Sequence, residues 1–332
     1  MWSEFGASSF VIPRFELVKN QEGTNFACNL IPEYDFDNID NILHQLEKLN
    51  PDIEQDITPL PQLLNRMDNP DQTEWRTKIL QALEYLQIGD LQKIVLARKT
   101  ELRFDDKLDP VSLLQHLEAP GCFRFLWEPQ PGRAFVSIPP ERLYKREERR
   151  ISCEALAGTR PRGHTVDEDN RLGQELLNSD KERREHLFVA DTIRKVLSML
   201  CQKIGEGDAV TIMKLRELQH LMTSFDCELR ETVSDSDVLA NLHPTPAVAG
   251  YPVDEARNRI ASMEPFDRGW YAGPVGWVNN EGAEFAVAIR SGLVYDNKLY
   301  LYSGAGIVDG SDWQLEWEEI ENKITQFLRL FT

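Results

Sequence analysis

Two stretches of the chain place apolar residues at every third or fourth position. In "SDKERREHLFVADTIRKVLSML", Val189, Ile193, Val196 and Leu200 fall on one stripe at 100° per residue, which predicts a helix over about 180–202. Glu182 and Glu185 project onto that same stripe, while Arg184, Asp191, Arg194 and Lys195 point away. The second stretch, "DWQLEWEEIENKI" from Asp312, aligns Trp313, Trp317, Ile320, Ile324 and Phe327. Glu318 and Glu321 fall toward solvent, but Glu316, Glu319 and Lys323 lie at the edge of the apolar stripe. A further helix over about 73–88 ends at Gly89.

The remaining apolar runs are short and read as strands. They include "FVIPRFEL" and "TNFACNLI" near the start, then "KIVLARKTEL", "CFRFLWEP" and "AFVSI". "RLYKREERRISCEALAG" reads as a hairpin turning at its charged centre. "GDAVTIMKL", "FDCELRE", "GPVGWV", "EFAVAIRSGLVY" and "KLYLYSGAGIV" follow. Meander-like strands with interspersed helices predict a large mixed-sheet α/β fold. Residues 48–72, rich in Pro, Asp and Asn, read as a linker or long loop. The expected division is 1–72, N-terminal strands and linker belonging to the same fold, and 73–332, the remainder of it.

Composition narrows the chemistry. The 332 residues are 41% hydrophobic, enough for a substantial core, and the net charge of −18 argues against nucleic acid or an anionic membrane as partner. No run is long and apolar enough to span a membrane, and the N-terminal segment lacks the pattern of a signal peptide. Five scattered cysteines, none in a CxxC pair, suit reduced thiols in the cytoplasm and not a zinc site.

A carboxylate on a buried stripe is costly unless it is paired or metal-bound. One reading is that the acids complement a helix N-terminus. The other, favoured by two Glu-x-x-Glu pairs, is a shared cation, and an all-oxygen donor set points to Mg²⁺. Lys93 opens an apolar strand, where burial would lower its pKa and let a neutral amine act as a base, although such lysines are usually solvated. Glu141 follows "SIPP", where an apolar pocket would keep a carboxyl protonated; a turn pair with Arg142 is the alternative. Gly304 and Gly306 read as a turn offering backbone N–H groups to a carboxylate. Arg290 interrupts an apolar strand, as either a carboxylate clamp or a salt-bridge partner. His243 stands in a proline-braced loop.

In order along the chain, "KIVLAR", "PPERL", "EALAGTRPRG", "SDKERREHLFVADTIR", "HPTPAVAG", "FDRGWYAGPVGW", "AVAIRSG", "YSGAGIV" and "EWEEIENK" resemble the chorismate-utilising enzymes over about residues 75–330. The resemblance implies a single large two-sheet α/β sandwich with a deep cleft for chorismate and one Mg²⁺. It makes Glu185 and Glu319 the metal ligands, with Glu182 and Glu316 behind them. Lys93 corresponds to the general base and Glu141 to the general acid. Tyr271 and Arg290 would hold the enolpyruvyl carboxylate, Gly304, Gly306 and Lys323 the ring carboxylate, and Gly158, Thr159 and His243 would line the cleft.

Lysine at 93, where the resemblance gives anthranilate synthases glutamine, and Ala157, where it gives aminodeoxychorismate synthases typically lysine, imply water as nucleophile and no obligatory glutaminase subunit. "EALAGT" and "FVIPRFEL" look more like menaquinone-type isochorismate synthases than salicylate synthases. Salicylate synthase and siderophore-pathway isochorismate synthase are the alternatives. Pro139 departs from the serine usual before Pro-Glu-Arg.

Overall fold

The computed structural model describes residues 2–20, 23–49, 58–205, 209–216 and 218–331. They fall into two compact units that divide at Thr58 and Pro59. In the N-terminal unit, β1 (Phe15–Asn20) and β2 (Gly23–Cys28) form an antiparallel hairpin sheet of their own, followed by α1 (Pro32–Asp35) and α2 (Ile39–Glu47). Arg14 reaches the Asp35 carboxylate at 2.5 and 2.6 Å, tying the entry of the hairpin to α1.

The second unit begins with β3 (Leu63–Asn69), α3 (Gln72–Ile88), β4 (Lys93–Phe104) and α4 (Pro110–His116). Next come β5 (Phe125–Gln130), β6 (Arg133–Ser137), β7 (Arg142–Glu147) and β8 (Arg150–Pro161). α5 (Val166–Asn178) and α6 (Asp180–Leu200) lead into β9 (Cys201–Ile204), β10 (Thr211–Lys214) and β11 (Leu218–Leu229). The chain continues through α7 (Asp235–Leu242), β12 (Gly250–Tyr251), α8 (Val253–Met263), β13 (Pro274–Val278) and β14 (Gly282–Val287). It closes with β15 (Ser291–Tyr295), β16 (Lys298–Ile307) and α9 (Trp313–Leu328).

The strands of this unit make two antiparallel sheets. One runs β10-β11-β8-β7-β14-β13 with β9 added to β11; the other runs β12-β4-β16-β15-β6-β5 with β3 added to β4. The outer face of the second sheet carries a core of Trp75 and Ile79 from α3, Ile260 from α8 and Ile320 from α9, packed on Ile94, Leu96, Ala305 and Ile307. Because side chains alternate across a strand, Lys93 and Val95, Gly304 and Gly306 then face the other way, into the molecule. α6 lies on the first sheet, burying Val189, Ile193, Val196 and Leu200 as its periodicity predicts.

Three expectations need correction. Residues 63–69, taken as linker, form β3 and pair with β4, so the compact units divide before position 72; residues 50–57 of that linker lie outside the described set. "EFAVAIRSGLVY" is two strands: β14 belongs to the first sheet and β15 to the second, and the chain changes sheet at Ala288–Arg290, where Arg290 takes φ 49°. Gly304 and Gly306 lie within β16, opposite Ala97 and Val95, and not in a turn beyond it.

Candidate active site

The chain changes sheet twice at one place. Ile138–Glu141 leads from β6 in the second sheet to β7 in the first, and Ala288–Arg290 makes the reverse passage. The two crossovers are bonded together: Ile138 N–H donates to the Arg290 carbonyl (3.1 Å), Ser137 Oγ–H to the Ile289 carbonyl (2.9 Å), and Val287 N–H to the Glu141 carbonyl (3.0 Å). Pro139 and Pro140 fix φ on the way into Glu141. An acid and a guanidinium are thus delivered side by side to a cleft walled by both sheets, with about 700 Å³ of atom-free space including its mouth.

Glu141, Glu185, Glu319 and Lys323 line this cleft, as do Gly158, Thr159, Tyr271, Arg290, Gly304 and Gly306. Lys93 is fully buried just behind, its Nζ 2.9 Å from Glu185 Oε1. The glycines make the room. A Cβ at Gly306 would collide with Glu185 Oε1 and lie 2.8 Å from Lys93 Cε, and one at Gly304 would lie 2.8 Å from the Tyr271 hydroxyl. Gly158 takes φ +79°, and a Cβ there would press on Glu182 at 3.3 Å. His243 does not line the cleft. It caps the end of α7, half-buried, and its loop presents Ala247 and Val248 to the cavity instead.

All four carboxylates are held by cations. Glu185 pairs with Lys93, and Glu319 with Lys323 at 2.6 Å. Glu182 takes Arg160 at 2.9 Å and the Thr159 N–H at 3.2 Å, and the buried Glu316 takes Lys181 at 2.7 Å. Lys323 also donates to the Gly304 carbonyl at 2.8 Å, fixing α9 against β16. Burial, then the charge of Glu319, pushes Glu316 up to about 7; burial and Glu185 push Glu182 up. For Glu185 burial acts upward, but Lys93 outweighs it with help from Lys323 and Lys181, and the net shift is down. Glu141 is pushed up to about 8 by burial, reinforced by Glu154 and opposed by Lys93 and Lys323. Its carboxyl is therefore protonated at neutral pH.

Among the described residues no three His, Cys, Asp or Glu side chains close into a complete metal cage. The donor set nevertheless fits Mg²⁺, which is commonly held by one or two carboxylates with water and substrate anions. Glu185 and Glu319 come from two helices to one cavity, and their repulsion, which adds to burial in raising Glu182 and Glu316, is what a divalent cation would relieve.

A functional neighbour invisible in the sequence pattern is His220. It lines the cleft from β11, with Nε2 3.2 Å from Arg290 Nη2 and Nδ1 3.2 Å from the Gly158 carbonyl. Burial, then Arg290 and Lys323, pushes it down to about 3, so it is neutral. The guanidinium can only donate, which assigns Nε2 as acceptor and the proton to Nδ1. His220 thereby orients the guanidinium. Reading "LQHLMTSFDCEL" as one strand, and not only its second half, would have placed it on β11 but not in the cleft. Arg160 and Lys181, the counter-ions of the outer carboxylates, were hidden in charged stretches that look solvated.

A family model described as "Chorismate binding enzyme" matches residues 1–332. The chain belongs to the chorismate-binding enzymes. The chloroplastic isochorismate synthase of Catharanthus roseus is 33% identical over 342 residues, which covers 99% of this chain and 59% of that protein. Isochorismate synthase MenF of Bacillus subtilis is 34% identical, covering 97% of this chain and 69% of its own. This chorismate-binding enzyme thus spans about three fifths of the length of its plant relatives.

Its fold matches the menaquinone-specific isochorismate synthase MenF of Escherichia coli with a TM-score of 0.88 and 32% identity, over 96% of this chain and 75% of that one. Anthranilate synthase component I of Streptococcus pneumoniae shares the fold at a TM-score of 0.76 and 20% identity. The two-sheet α/β architecture is that of chorismate-utilising enzymes.

Proposed function

We propose that the chain is an isochorismate synthase, converting chorismate to isochorismate by water addition at ring carbon C2 and loss of the C4 hydroxyl. The observation that carries the reading is the convergence of Glu141, Glu185, Glu319 and Arg290 on one cleft, with Lys93 buried behind it. The likeness to proteins named isochorismate synthase from plants and bacteria supports it, and the MenF relatives favour the menaquinone branch. Five free cysteines agree with a reducing, cytoplasmic setting.

Lys93 is the base that takes a proton from the attacking water as its oxygen bonds to C2, a role that requires its amine to give up the charge that pairs it with Glu185 in this structure. The ring double bonds shift, the C4–O bond breaks, and Glu141 gives its proton to the departing hydroxyl, which leaves as water. Water enters and water leaves, so the reaction is an isomerisation; proton transfer from Lys93 back to Glu141 resets the site. Arg290, oriented by His220, and Tyr271 hold the enolpyruvyl carboxylate, while Lys323 and the glycine edge of β16 receive the ring carboxylate. Mg²⁺, held by Glu185 and Glu319 with Glu182 and Glu316 behind them, would neutralise the ring carboxylate and withdraw electron density from C2. Lysine at 93 and the likeness to MenF proteins favour water over ammonia, so no glutaminase partner is required.

Incubation with chorismate and Mg²⁺, followed by chromatographic identification of products, tests the reading. Isochorismate alone is expected. Salicylate with pyruvate would replace the proposal with salicylate synthase, and undiminished chorismate would refute it.

A further inference from the structure

A second chamber adjoins the cleft and shares two walls with it, Arg290 and Lys323. It holds about 350 Å³ of atom-free space including its opening, and its outer wall comes from the loop around Ala119–Cys122, the turn at Leu215–Arg216, and Asn322 and Gln326 of α9. Among the described residues its charged lining is Arg216, Arg290 and Lys323, with no acid. In a chain of net charge −18 such a locally cationic hollow is out of character. Pro120, Arg216 and Asn322 are exposed and Cys122 is half-buried, so the chamber runs from solvent to the two cations of the cleft.

Across the mouth, Arg216 pairs with Glu118, whose carbonyl also accepts from Gln326. The side chains of the pair are 51% and 74% exposed, and ion pairs of that kind hold weakly and open readily.

We propose that this chamber is the passage by which an anionic substrate reaches the cleft, with Arg216 drawing carboxylates in at the mouth and Arg290 with Lys323 receiving them at its inner end. The proposal rests on the isochorismate synthase reading for the identity of the anion, but the path itself is a matter of charge and access. A carboxylate arriving at Arg216 displaces Glu118 and, among the described lining residues, meets no acid on its way inward. Cys122, on the wall of the passage, is a built-in reporter: any group attached to its thiol narrows the way.

The test uses the full chain with Cys28, an exposed thiol of the N-terminal unit, changed to serine, leaving Cys122 as the accessible cysteine while Cys153, Cys201 and Cys227 stay buried. Anionic sulfonatoethyl and cationic trimethylammonioethyl methanethiosulfonates each form a disulfide with Cys122 and release methanesulfinate. Rates are compared at about 0.15 M ionic strength, where screening beyond ~8 Å leaves only local charges to act.

The anionic reagent should label Cys122 about fivefold faster or more, in line with local electrostatic focusing. Arg216→Glu should abolish or reverse that preference, Arg216→Ser should reduce it, and Glu118→Gln should keep or increase it. Excess chorismate should slow labelling, and fully labelled protein should lose tenfold or more in kcat/KM for chorismate. Equal labelling by both reagents, a preference indifferent to Arg216, or undiminished kcat/KM after complete labelling would overturn the passage. If unlabelled protein consumes no chorismate, the functional reading fails, and the charge preference with its Arg216 dependence still decides whether anions enter here.

Discussion

Glu141 must carry a proton to do its work, and burial supplies it: with its carboxyl raised to about 8, the acid form persists through neutrality. Turnover should therefore fall as pH rises through about 8, and the pH profile of kcat checks this. The sign for stability is the same. Between the ordinary value of 4.5 and about 8 the folded protein keeps a proton that the unfolded chain has lost, so this group makes the fold less stable as pH rises across that window. Replacing Glu141 or Lys93 with alanine should each reduce turnover by about 10²–10⁴-fold with the fold retained, judged by circular dichroism; normal turnover in either removes its assigned role. Gly306→Ala is a gentler probe. Its Cβ meets the flexible ends of Lys93 and Glu185, so it should depress kcat strongly while lowering Tm by only a few degrees, and a fully active variant would mean that the site tolerates their displacement. The acids of α6 and α9 were legible because helical periodicity exposes a charge on an apolar stripe. His220 was not, since a single polar residue in a buried strand looks the same whether it serves the core or a ligand.

Helix α9 concentrates the site. One face buries Ile320, Ile324 and Phe327; Glu316, Glu319 and Lys323 turn inward beside them, as the sequence predicted. Glu319→Ala should raise the Mg²⁺ concentration needed for half-maximal rate, and an unchanged metal titration would exclude it as a ligand. Glu321, expected in solvent, instead anchors the helix: it pairs with Arg66 and with Arg98, which is fully buried, lies 3.5 Å from the Asp68 carboxylate and stacks 4.5 Å over Trp317. Arg98→Ala leaves Glu321 and Asp68 with Arg66 as their remaining cation, Asp68 keeping the Thr100 hydroxyl as well. Breaking a buried pair costs roughly 3–5 kcal/mol, and the surviving partner puts this case at the low end; denaturant unfolding should show the loss, and Arg98→Met, which keeps the packing, should show less of it. Periodicity could not reveal this anchor, because the partners of Glu321 stand 223 and 255 positions away. The same limit explains the misread strand at Arg290. A change of sheet leaves the run of apolar residues unbroken, and only the left-handed backbone at Arg290 marks it.

At the scale of the molecule, charge sets the terms of encounter. Acids outnumber bases 55 to 37, so a dianion approaching from afar meets repulsion, while the cleft and its antechamber present Arg290, Lys323 and Arg216. The two effects act over different distances and respond differently to salt. Screening lengths fall from about 30 Å at 0.01 M to about 8 Å at 0.15 M, which removes the long-range repulsion before it touches contacts inside the cleft. If the local cations provide the binding, kcat/KM for chorismate should rise as an inert salt is added from about 0.01 M to 0.15 M at fixed free Mg²⁺. It should then fall at higher salt, as the pairing of carboxylates with Arg216 and Lys323 is weakened in turn. A monotonic fall from the lowest salt would mean that long-range attraction dominates despite the net charge, and that some larger basic surface steers the substrate. The net charge was readable from composition alone. Which cations stand together was not, because Arg216, Arg290 and Lys323 come from a turn, a crossover and a helix that only the folded sheets bring to one hollow.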